Sequence, residues 1–170
     1  MGRVHTLRGT IVSSDEVLLP PQLIFDYASA DQTRAWKVID ICFFPVSTKH
    51  NALERSSMSA HNFQLATDLG FDQYRLDASE NRTFAWETIT LDNSPTAPVL
   101  VSAFAARTDC VDPDHLITDQ LYLSYVPETV ATESTIDFEW SYMIRLEAMK
   151  ISTSESILQA IKGKGQDVSS

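Results

Sequence analysis

The densest group of possible metal ligands lies in Thr108–His115, where Asp109, Asp112, Asp114 and His115 bring hard oxygens and an imidazole close together. Calcium needs several such oxygens to converge. The segment lacks the D-x-[DN]-x-[DN]-G spacing and distal Glu of a calcium loop, and Asp, Pro and Asp between extended stretches are ordinary turn formers. The four histidines, His5, His50, His61 and His115, show no H-x-x-x-H or H-E-x-x-H spacing, so zinc would need ligands from distant segments. No metal site is expected.

Neither a G-x-S-x-G elbow nor a G-x-x-x-x-G-K-[ST] loop is present, and 5 glycines leave little material for a phosphate cradle. The 23 acidic residues would allow a glycosidase-like pair, but no spacing singles one out. Solvated strand faces account for them. The sequence therefore assigns no catalytic residue and no cofactor, and the expectation is a protein that is not an enzyme. Asn81-Arg82-Thr83 has the form of a glycosylation acceptor, which without a secretory start reads as a chance triplet. Trp36, Trp86 and Trp140 could stack on sugar rings or bases, yet each falls within an extended stretch and reads first as core.

The elements that must carry these residues are mostly strands. Ile136 to Ala148 sets Ile136, Phe138, Trp140, Tyr142, Ile144, Leu146 and Ala148 on alternate positions against Asp137, Glu139, Ser141, Arg145 and Glu147. Successive side chains on a strand point to opposite faces, so this is one long strand with an oily face and a wet one. Its aromatic row requires a second layer. Further strands are expected at Val4–Val12, Gln22–Tyr27, Arg34–Phe44, Thr83–Leu91, Val99–Ala106 and Ile117–Val126, to a total of about eight. Arg34–Phe44 is apolar on both alternating sets and reads as a central strand covered on both faces. In the polar region between Ser47 and Asp77, Phe63, Ala66 and Leu69 are spaced for a short helix over Ala60–Leu69, ended by Gly70.

The last element is an amphipathic helix. Ser152 and Glu155 have the form of a capping box, Ile157, Leu158 and Ile161 make an apolar stripe, and Gly163 suits the residue that closes a helix. The stripe packs either on its own sheet or on a neighbouring subunit. The fold class read from these patterns is all-β: an antiparallel sandwich with a short C-terminal helix, formed by residues 1–170 as a single domain.

Composition fits that reading. The 170 residues are 44% hydrophobic and 21% charged, which is globular rather than disordered. Bulk burial at this length needs no staple. A net charge of −10, with 13 dispersed basic residues, argues against binding nucleic acid directly by phosphate neutralisation. Arg3 and Arg8 at one end and Lys162 and Lys164 at the other are too few for a basic arm. Cys42 and Cys110 read as free thiols, since nothing indicates a secretory start and no window is apolar enough to span a membrane. A soluble protein of a reducing cytoplasm is expected.

The last third of the chain resembles a group of uncharacterised structural proteins from viruses of marine microbes. The resemblance runs from Pro113-Asp114-His115-Leu116-Ile117-Thr118-Asp119-Gln120-Leu121-Tyr122-Leu123 through Trp140-Ser141-Tyr142-Met143-Ile144-Arg145-Leu146-Glu147 to Ile161-Lys162-Gly163-Lys164-Gly165-Gln166-Asp167-Val168. It extends more weakly to Leu18-Leu19-Pro20-Pro21 and Trp36-Lys37-Val38. It implies a virion or capsid subunit with a jelly-roll sandwich, located in the virion and in the host cytoplasm during assembly, and it carries over no catalytic residue. Self-association into a shell, with other virion proteins as further partners and no membrane, is the expected function. The alternative is a monomeric β-sandwich that binds carbohydrate on exposed Trp or Tyr rings.

Overall fold

A computed structural model describes residues 2–12, 19–27, 33–46, 58–92, 103–129 and 139–164. Eight strands and one helix follow one another within them: β1 (Val4–Val12), β2 (Gln22–Asp26), β3 (Arg34–Pro45), β4 (Met58–Ala66), β5 (Thr83–Asp92), β6 (Ala103–Val111), β7 (Gln120–Thr129), β8 (Glu139–Lys150) and α1 (Thr153–Lys164). They form two antiparallel sheets, β1-β8-β3 and β2-β7-β4-β5-β6. The chain is thus an all-β antiparallel sandwich with a short C-terminal helix. β1 pairs with β8, β2 with β7 and β4 with β5, and β6 extends the larger sheet beside β5.

β8 explains the smaller sheet. Trp140, Tyr142, Ile144 and Leu146 are buried on its inner face, with Trp140 only 1% exposed. Ile144 lies between Leu7 and Ile41, which gives it apolar partners on both flanks, and Tyr142 lies between Gly9 and Phe43. Facing them from the larger sheet are Phe63 and Leu65 of β4, Ile89 of β5, and Leu121, Leu123 and Tyr125 of β7. Phe63 stacks on Phe43 across the layers at 4.1 Å between ring centres. Gly9 has a specific reason to be glycine: a Cβ there would run into the Tyr142 ring opposite, 2.6 Å from its Cζ.

Two expectations from the sequence need correction. Arg34–Phe44 is not a central strand, because β3 forms an edge of its sheet, with Ile39 and Phe44 exposed. Its doubly apolar pattern comes from a bulge between Val38 and Asp40 that switches the inward set from Trp36 and Val38 to Ile41 and Phe43. Nor is Ala60–Leu69 a helix. Its first part belongs to β4, which pairs with β5 on one side and β7 on the other. A strand buried on both faces loses the alternation that would reveal it. His61, Phe63 and Leu65 face the core, while Asn62, Gln64 and Ala66 are buried on the opposite face.

The cover over that opposite face is the 67–82 connection. Gln64 Nε2 donates to the carbonyls of Gln73 and Arg75 at 3.0 and 3.2 Å, and Ser124 Oγ donates to Gln73 Oε1 at 2.9 Å. Gly70, at φ 99°, turns the chain into the loop, and Phe71 is buried beneath it. Glu80 accepts two hydrogen bonds from the Arg82 guanidinium at 2.9 and 3.1 Å and one from its backbone N–H at 3.0 Å, which keeps the Glu80 carboxyl below the usual carboxylate range.

Candidate functional site

The sequence candidates separate once placed. Asp112 closes an Asx turn, accepting from the Asp114 N–H at 2.9 Å, and Asp109 and Asp114 are exposed. His115 turns away from them: its ring stacks on Phe84 at 4.4 Å and its Nε2 lies 3.4 Å from Thr67 Oγ1. Among the described residues no three His, Cys, Asp or Glu side chains come together in a way that could hold a metal ion. Asn81 is exposed in the turn before β5, and His50 lies outside the described residues. Cys42 is half-buried and Cys110 exposed, and neither is in a disulfide.

Of the three tryptophans, Trp140 is sealed in the core and Trp86 is half-buried. Trp36 is half-buried too, at the end of the sandwich, where it meets Phe25 and Tyr27 edge-to-face at 5.6 and 5.7 Å. His5 completes that aromatic group, 6.0 Å from Trp36. These rings plug the gap between β1, β2 and β3 by packing on one another.

The interior holds a polar contact that the sequence did not connect. His61 is 0% exposed, and its Nδ1 lies 2.8 Å from Tyr125 Oη. Tyr125 Oη also accepts from Trp140 Nε1 at 3.0 Å. Burial lowers the His61 pKa from 6.5 to about 4, because a charged imidazole would lose its water. The three residues are far apart in sequence, and only the pairing of β4 with β7 and the facing of β8 bring them together.

The surface feature that sets this molecule apart is α1. Its start is built as the sequence implies, with the Glu155 N–H donating to Ser152 Oγ at 3.1 Å and the Ser152 N–H to Glu155 Oε2 at 3.3 Å. It runs through Gly163 to Lys164, so Gly163 does not close it. Ser156 and the preceding Ile151 are buried, and the Ile151 N–H donates to the Thr33 carbonyl at 2.9 Å. Beyond that attachment the apolar stripe faces outward: Ile157 is 52%, Leu158 61% and Ile161 58% exposed. Of the two alternatives read from the sequence, packing on its own sheet is not what the chain does.

Other exposed apolar side chains are Ile39 and Phe44 of β3, Val46 just after it, and Leu69, Tyr74 and Leu76 on the covering loop. The outer face of the smaller sheet is otherwise mixed in charge. Arg145 makes a forked pair with Asp40, its Nε 2.8 Å from Oδ1, which holds the Asp40 carboxyl below its ordinary range. Among the described residues no helix is long and apolar enough to cross a membrane. Compared with known proteins, the chain matches no family model, no curated protein and no solved structure.

Proposed function

We propose that the chain is a shell subunit of a virion, a capsid-type protein whose work is association with its own copies and with other virion proteins. The observation that carries the reading is the outward apolar stripe of α1. A helix of 12 residues is marginal in water without packing, and this one turns three large aliphatic side chains to solvent. A partner surface would bury them and stabilise the helix together. The sandwich supports the same reading as a rigid body that can present such an arm, and its β1–β8, β2–β7 and β4–β5 pairs suit the jelly roll implied by the resemblance carried by Pro113–Leu123, Trp140–Glu147 and Ile161–Val168.

Light scattering coupled to size exclusion tests this on the full chain and on Leu158→Glu/Ile161→Glu. Wild type should elute as multimers and the double variant as smaller species with an unchanged sandwich by far-UV dichroism. A wild-type monomer at all concentrations that instead binds oligosaccharides would replace this reading with the carbohydrate-binding one.

A further inference from the structure

We propose that His61, Tyr125 and Trp140 form an acid-sensitive latch between the two sheets. Trp140 belongs to β8 of the smaller sheet, and His61 and Tyr125 belong to β4 and β7 of the larger one, so their hydrogen bonds cross the core. An indole N–H only donates, which fixes the first link as Trp140 to the Tyr125 oxygen. The Tyr125 proton then goes to His61 Nδ1, and the imidazole keeps its own proton on Nε2. The neutral ring is an acceptor in this relay, and the relay gives the indole and phenol protons a place.

Protonation reverses that polarity. With a proton on Nδ1, His61 becomes a donor toward an oxygen that already receives the indole N–H, and the hydrogen bond from the Tyr125 hydroxyl to Nδ1 is broken. The charge also has no water around it: Phe63 and Trp140 pack against the relay, and Trp140 lies 4.8 Å from the imidazole. The groups that face His61 from the described strands are as follows. Ile89 of β5 and Pro127 of β7 are its direct partners in register. Glu87, buried on the same inner face of β5, lies one pair along opposite Phe63. On β6, Arg107 is in register with Ile89 and Asp109 with Glu87. From the smaller sheet, Tyr142 of β8 is the inward titratable residue, and burial pushes its phenol up, so it stays neutral in this range. The inward residues of β1 and β3 near the latch, Ile11 and Phe43, carry no charge.

The sign follows from proton binding. The unfolded chain takes up the His61 proton near pH 6.5 and the folded chain only near about 4. Stability from the neutral ring is therefore complete above 6.5 and is lost as pH falls towards about 4. One linked proton raises the unfolding constant roughly tenfold per pH unit across that window.

The test combines urea unfolding of the full chain at pH 7.5, 6, 5 and 4.5 with NMR on the native protein. Wild type should follow the tenfold slope, His61→Gln should lose that slope, and Glu87→Gln should retain it. Nitrogen shifts of His61 should report the Nε2–H tautomer at pH 7.5, and protection of the Trp140 indole proton against exchange should fall as His61 becomes charged. Should His61→Gln fail to fold, the wild-type titration and indole exchange still decide. A His61 that titrates near 6.5 with Trp140 protection unchanged, or a His61→Gln slope equal to that of wild type, overturns the latch.

Discussion

At the scale of single residues, this chain places its unusual chemistry where solvent does not reach. His61 is neutral because it is buried, while His115 is held by the Phe84 ring it stacks on. Exposed charges do less: the Asp40–Arg145 fork sits on the open face of the smaller sheet with both side chains about half in water, so Asp40→Asn should leave the thermal midpoint nearly unchanged. Gly9 is different. Gly9→Ala would force its Cβ into Tyr142, a ring fixed between Gly9 and Phe43, and thermal unfolding should show a loss of about 1–3 kcal/mol. A variant as stable as wild type would mean that the Tyr142 ring has room to move aside.

At the scale of elements, α1 behaves as an appendage. Ser152→Ala removes the cap, a loss of about 1 kcal/mol in helix stability. Because Ile157, Leu158 and Ile161 do not rest on the sheets, that loss should appear as reduced helical dichroism at 222 nm with the melting midpoint of the sandwich unchanged. A matching drop in the midpoint would show that the helix is part of the core. The strands were largely legible in the sequence where one face is wet: β1 runs over Val4–Val12 as its pattern implies, and β8 keeps the Trp140–Leu146 alternation. Ile136, Phe138 and Val99–Ser102, also read as strand, lie outside the described residues. Legibility failed where tertiary structure alters the period. The Val38–Asp40 bulge disguised an edge strand as a central one, and the cover over Asn62 and Gln64 disguised a strand as a helix. The capping box was readable because it is local. The His61–Tyr125–Trp140 relay was not, because its members come from three strands in two sheets.

At the scale of the whole molecule, the acidic charge and the apolar arm act in opposite directions. A net charge of −10 would make copies of the chain repel one another, while Ile157, Leu158 and Ile161 would favour burial. Salt screens the first effect and leaves the second, so association should strengthen between low and physiological ionic strength. Acid acts on a separate element: subunits should loosen internally as pH drops from 6.5 towards about 4, through His61 rather than through the arm. The measurement that bears most directly on the central claim is sedimentation velocity of the full chain over a range of salt, with electron micrographs of the fastest boundary. Multimers that grow with salt and image as closed or regular particles are the predicted result; a single 19.0 kDa species at every salt and protein concentration would contradict it.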